Sequence, residues 1–99
     1  MDGNRYALDW HEQAKKEYDK LDGSSRNLID KSLNRIEKIG MEAGEALRGN
    51  LVGCRKLKHR KAGLRVIFRE SEKGIEIVEI IAIGKRSDLE VYKDAEKRI

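Results

Sequence analysis

Between residues 54 and 69, cations alternate with apolar side chains. Lys56, Lys58 and Arg60 stand two apart, and Arg65 and Arg69 follow a break at Lys61-Ala62-Gly63. Residues two apart in a β-strand share a face. Leu57 is the large apolar residue in the middle of the first run, and Leu64, Val66 and Phe68 are the apolar set of the second. Directly opposed residues of an antiparallel pair point the same way. If these four face a core, Leu57 must therefore oppose an even-numbered residue, which requires an even loop, most simply of two residues. Arg65 and Arg69 then join Lys56, Lys58 and Arg60 on the outer face. Crowded like charges destabilise a free protein, but they suit a site that holds an anion and stabilises extra negative charge on it. The bland alternative is a set of long side chains that splay into water and bind nothing.

The charge distribution bears on the partner. The 99-residue chain has a net charge of +4, yet residues 46–69 hold eight basic residues and no acidic one, while the other 14 basic residues face all 18 acidic ones. One basic segment on an otherwise acidic chain suggests a polyanion, with nucleic acid first in line, although a solvated basic face fits the same count. Cys54 is the only cysteine, so no internal disulfide is possible. Cys54, His11 and His59 do not fall at metal-ligand spacing, and neither a metal nor another cofactor is expected. The chain begins without an apolar leader and contains no run of membrane-spanning length, so no membrane association is expected and the cytoplasm is the expected compartment. Its length predicts one domain over 1–99, with no repeat and no linker.

The elements that must position the cations can be read from periodicity. Residues 5–8 read as a short first strand. Asp9 opens a helix, with Asp9 and Glu12 at capping-box spacing. Trp10, Ala14, Tyr18 and Leu21 form its apolar stripe, and Asp22-Gly23 stops it. Ser24 or Ser25 caps a second helix, whose buried face is Leu28, Ile29, Leu33, Ile36 and Ile39 and whose end is Gly40. Residues 41–53 read as a loop. Strands follow at 54–60, 64–69 and 75–83. The last is so rich in Ile and Val that it must be central and covered on both faces. Gly84-Lys85-Arg86 leaves the sheet, and Ser87 with Glu90 opens a final helix to Ile99. The expected class is α+β: an N-terminal strand and a helical hairpin packed on an antiparallel sheet with a three-strand meander, then a short C-terminal helix.

Taken in order, several short motifs add a resemblance. Leu47-Arg48-Gly49, Cys54-Arg55-Lys56-Leu57-Lys58, Gly63-Leu64-Arg65-Val66, Ile83-Gly84-Lys85-Arg86, Glu90-Val91-Tyr92 and Lys97-Arg98-Ile99 resemble, in order and spacing, the RelE branch of the RelE/ParE toxin superfamily. The resemblance covers most of the chain. It implies a site made of two alternate lysines, an arginine on the next strand, an arginine at the end of the last strand and a tyrosine on the final helix. Here these are Lys56, Lys58, Arg65, Arg86 and Tyr92. Gyrase-directed relatives share the fold and usually lack this set, so its completeness implies a ribonuclease. Some relatives use Glu and His as base and acid. His59 is near in sequence, but strand alternation turns it to the face opposite Lys56 and Lys58.

The implied activity is that of a type II toxin, an mRNA interferase that cuts messenger RNA in the ribosomal A site by attack of the neighbouring 2′-hydroxyl, without a metal. Such a reaction needs a base, charge stabilisation at phosphorus and an acid. A lysine is a poor base near neutrality, and surrounding cations favour its neutral form. Lys56, with Lys58 and Arg60 on its face and Arg65 across, is the candidate base. Lys58 and Arg65 stabilise the phosphorane, Arg86 is the family's acid or a further electrostatic stabiliser, and Tyr92 stacks on a base or orients a phosphate, or simply packs on the sheet. Arg48, Arg60, Lys61, Arg69 and Lys85 would hold ribosomal RNA phosphates. The resemblance also implies a RelB-like antitoxin that covers the basic face or displaces the last helix. The rival readings are a ParE-like gyrase inhibitor and a non-catalytic nucleic-acid-binding module.

Overall fold

A computed structural model describes residues 5–85 and 90–99. Strand β1 spans Ala7–Trp10 and is followed by helices α1 (Glu12–Asp19) and α2 (Gly23–Ile39). The chain then runs through two short 3-10 turns that flank a two-residue strand, β2 (Glu45–Ala46). Strands β3 (Cys54–His59), β4 (Leu64–Glu70) and β5 (Ile77–Lys85) form the meander, and α3 (Glu90–Arg98) closes the order.

The sheet order is β1-β5-β4-β3-β2. β1 lies parallel to β5, so the sheet is mixed rather than purely antiparallel as its sequence suggested. The helical pair makes this possible, because it carries the chain back across one face before the meander begins. β5 is central, as its composition required, although it starts at Ile77 and continues through Lys85. Ile75 lies before the strand and is 92% exposed.

Both helix starts differ from the sequence reading. The first strand continues to Trp10, and the cap of α1 is His11, whose Nδ1 accepts from the Gln13 amide at 3.1 Å. Strand pairing, with Trp10 opposite Ile80, outweighs the capping-box spacing of Asp9 and Glu12. The cap of α2 is Asp22 rather than Ser24 or Ser25. Its carboxylate accepts the Ser25 amide at 2.8 Å, and that bond holds the Asp22 carboxyl below the usual range. A carboxylate at this position also meets the positive end of the helix. The spacing of Ser87 and Glu90 falls partly outside the described residues.

Two cores lie on opposite faces of the sheet. On one face, Leu64, Val66, Phe68, Val78, Ile80 and Ile83 pack against Ala14, Ile29, Leu33 and Ile36 of α1 and α2. On the other, Cys54, Ile67, Ile81 and Ala82 pack against Leu51 and against Val91 and Ala95 of α3. The hairpin face expected to be open to solvent is thus partly roofed by the last helix. Ile81 and its neighbour Ala82 both belong to this second core. They can share a side because the register slips between Ile67 and Phe68, where β5 carries one extra residue as a β-bulge.

Candidate active site

The hairpin has the parity that alternation required. Leu57 opposes Val66, Lys58 opposes Arg65 and Lys56 opposes Ile67. The connection is four residues long, 60–63, rather than two, and a hydrogen bond from the Gly63 amide to the Arg60 carbonyl closes it; four is still even, so the parity is kept. Gly63 adopts φ +68°, which glycine accommodates without strain. Leu57 therefore packs on the helical core, and Lys56, Lys58 and Arg65 share the face that α3 partly covers.

Arg65 is the most unusual member of the set. It is only 5% exposed, and among the described residues its Nε and Nη1 have no hydrogen-bond partner. On one side it faces Lys58 and on the other Gly84. A buried guanidinium with idle donors costs stability, and a lysine directly opposite adds to that cost. Both atoms are themselves buried, so this arginine fork, a shape suited to phosphate, meets an anion through them only where the cover over this face opens.

α3 supplies the third element of the site. Gly84 lets it approach: a Cβ there would stand 3.2 Å from the Cβ of Val91. One residue further on, Tyr92 is half-buried and its ring centroid lies 5.9 Å from the Lys56 ammonium, within cation–π range. Lys56, Lys58, Arg65 and Tyr92, from β3, β4 and α3, therefore come together on one face. Arg86 lies outside the described residues.

The other basic residues divide. Arg48, Arg60, Lys61 and Lys85 are exposed. Arg60 sits in the turn rather than on the strand face. Arg69 shares the face but stands at the far end of the hairpin opposite Cys54, where its Nε donates to Glu79 at 3.0 Å. That ion pair engages its Nε and sets it apart from Lys56, Lys58 and Arg65. His59 lies on the helical face, with Nε2 2.5 Å from the Ser32 hydroxyl, away from the lysines as its parity required. Burial lowers its pKa.

One residue of the site escaped the sequence reading. The Glu45 carboxylate stands 3.4 Å from the Lys58 ammonium. Its position depends on β2, a strand of two residues that leaves no periodic signal. Among the described residues, no three His, Cys, Asp or Glu side chains are grouped so as to hold a metal ion.

Residues 8–90 match the family model described as the ParE toxin of type II toxin-antitoxin system, parDE. The chain belongs to the RelE/ParE toxin family. Within it, the toxin is 35% identical over 94 residues to the mRNA interferase toxin RelE of Escherichia coli K12, covering 95% of this chain and 97% of that protein. It is 30% identical over 95 residues to a putative RelE-like toxin protein of E. coli, covering 96% and 98%. A mutant of E. coli toxin RelE in the free state superposes with a TM-score of 0.77 at 35% identity, covering 96% of this chain and 98% of that one. The RelE-like chain of the intact E. coli RelBE toxin-antitoxin complex gives a TM-score of 0.67 at 34% identity, covering 81% and 95%. The α+β arrangement is thus the family's fold.

Proposed function

We propose that this toxin is a metal-independent endoribonuclease that cuts messenger RNA in the ribosomal A site and so blocks translation. The observation that carries this reading is the opposition of Lys58 and the buried, under-bonded Arg65, with Lys56 and the Tyr92 ring beside them. Relatives named as mRNA interferases at full-length coverage point the same way.

In this reading the 2′-hydroxyl attacks the adjacent phosphorus, leaving a cyclic phosphate and a 5′-hydroxyl. Lys56 takes the 2′ proton. Lys58 and Arg65 hold the charge that builds on the phosphoryl oxygens. Arg86 stabilises or protonates the leaving oxygen, and Tyr92 positions the nucleotide against Lys56. These are weak acids and bases, so alignment of the substrate carries much of the rate. The decoding site of the ribosome supplies that alignment, and Arg48, Arg60, Lys61 and Lys85 hold ribosomal RNA phosphates. A RelB-like antitoxin, as in the RelBE complexes of relatives, covers the face. The setting is the cytoplasm, consistent with the lack, among the described residues, of a helix long and apolar enough to cross a membrane.

The test is a translation reaction containing the purified toxin. Codon-dependent cuts in the message that leave a cyclic phosphate and a 5′-hydroxyl, and that vanish with Lys56→Ala and Arg86→Ala at little cost in ribosome affinity, are expected. Intact message with blocked DNA supercoiling would transfer the toxin to the gyrase-directed branch. Partial function in both alanine variants would leave only a nucleic-acid-binding module.

A further inference from the structure

Glu45 is held against the lysine pair by tight packing of the chain. A Cβ on the preceding Gly44 would stand 2.6 Å from both the Lys56 carbonyl oxygen and the Phe68 ring, so only a glycine lets β2 lie this close to β3. Glu45 opposes Lys56 in the register and therefore shares its face, with Lys58 as the diagonal neighbour. Its carboxylate reaches the Lys58 ammonium at 3.4 Å while the side chain stays 62% exposed. The acid-free stretch 46–69 begins at the very next residue. Among the described residues, one carboxylate thus stands at the rim of the group formed by Lys56, Lys58 and Arg65.

An ion pair this exposed contributes little to stability. Its effect on an incoming phosphate is larger. The carboxylate already engages the Lys58 donor and repels a second anion approaching it. We propose that Glu45 is a specificity-determining residue, a resident anion that competes with RNA phosphate for Lys58 and so weakens the hold on unplaced RNA. RNA held against the face by many other contacts displaces it, because the local concentration of its phosphate is high. Free RNA gains too little from the remaining contacts to do so. Discrimination comes from a repulsive group placed against the wrong substrate. The inference rests on the reading of this face as a phosphate site for RNA.

The experiment compares the wild-type toxin with Glu45→Gln and Glu45→Ala. Glu72→Gln, on the exposed β4–β5 turn, controls for net charge. The probe is a fluorescent 2′-O-methyl RNA oligonucleotide, which cannot be cut, titrated by anisotropy across a salt series. Glu45→Gln and Glu45→Ala should bind it about three- to tenfold more tightly than wild type. The salt dependence should steepen by about 0.7, the increment for one further phosphate on a single strand. Glu72→Gln should match wild type, and cleavage on the ribosome should change far less than free binding does. Affinity no greater in the Glu45 variants than in Glu72→Gln overturns the inference. So does a loss of cleavage by orders of magnitude at unchanged binding, which would make Glu45 a reacting group. If the toxin cuts no message yet the Glu45 variants gain RNA affinity, the nuclease reading falls and this inference stands. Absence of RNA binding in every form overturns both.

Discussion

Arg98 at the end of α3 grips Glu17 of α1 through two N–H···O bonds, Nη1 to Oε1 at 2.9 Å and Nη2 to Oε2 at 2.8 Å. The pair also completes the sheet edge. β1 ends opposite Ile80, and beyond it the Ile81 carbonyl accepts from Arg98 Nη1 while the Ile83 amide donates to Glu17 Oε1. Hydrogen bonding to Glu17 holds the pKa of Arg98 above its ordinary value. Replacing Arg98 leaves the Ile81 carbonyl unpaired and Glu17 without its cation, whereas an apolar residue at 17 leaves the Ile83 amide unpaired and Arg98 held by the Ile81 carbonyl and by Asp94 at 3.7 Å. Arg98→Met is expected to cost about 3 kcal/mol in urea unfolding and Glu17→Leu less, with a double-mutant cycle showing strong coupling. Because α3 carries Tyr92, Arg98→Met should also slow cleavage. A loss below about 0.5 kcal/mol, the scale of an ordinary surface change, would show that packing alone docks the helix.

Arg65 sets stability against function. Among the described residues its buried guanidinium lacks partners for Nε and Nη1, and it faces Lys58. Arg65→Met keeps the volume and removes the buried charge, so the variant should be more stable by about 1 kcal/mol or more and inactive in message cleavage. Thermal unfolding and the translation assay read the two effects. A destabilised Arg65→Met would mean that the arginine is structural.

Tyr92 offers a cleaner separation of ring from hydroxyl. Tyr92→Phe retains the cation–π contact with Lys56, a contact of about 0.5–1 kcal/mol, and Tyr92→Ala removes it. If the ring does the positioning, single-turnover cleavage should fall modestly in the first and much further in the second. Equal losses would assign the role to the phenol.

His59 predicts an acid-side dependence of stability. Burial between β3 and α2 lowers its pKa from 6.5, with the Leu28 backbone acting in the opposite direction and Lys31 adding to the fall. A group whose folded pKa is depressed binds more protons when unfolded. Its contribution is therefore complete above about pH 6.5 and is lost as the pH falls through the folded value. The unfolding midpoint of the wild type should drop between pH 7 and 5, and His59→Gln should flatten that dependence. An NMR titration placing His59 at or above 6.5 would contradict the assignment.

The hairpin was legible because its two strands allow one parity: Leu57 had to join Leu64, Val66 and Phe68, and Lys56, Lys58 and Arg65 followed. The central place of β5 was legible from its run of Ile and Val. What could not be read was set by tertiary contact. β2 has two residues and no period, so Glu45 was invisible as a neighbour of Lys58. Asp9 had the spacing of a cap, but pairing with β5 kept it in a strand. The cover over the cation face had a faint signal in Ile67 and Cys54, which alternate with the cations, and in Val91 and Ala95 at helical spacing. The burial of Arg65 depends on how closely α3 docks, which no local pattern encodes.

The extra residue at Ile81 acts as a half-step in the rhythm of β5. Strict alternation from Ile80 would send Ala82 towards the helical pair and lay Ile83 beside Arg65. The slip exchanges these assignments: Ile83 joins the helical core, and a residue with no side chain, Gly84, lies next to the arginine. A regular ladder in which Ile81 paired with Ile67 would leave every amino acid of the site present in the chain and still set a branched side chain beside Arg65. The toxin's chemistry is therefore tied to one irregularity in a strand as firmly as to the cations themselves.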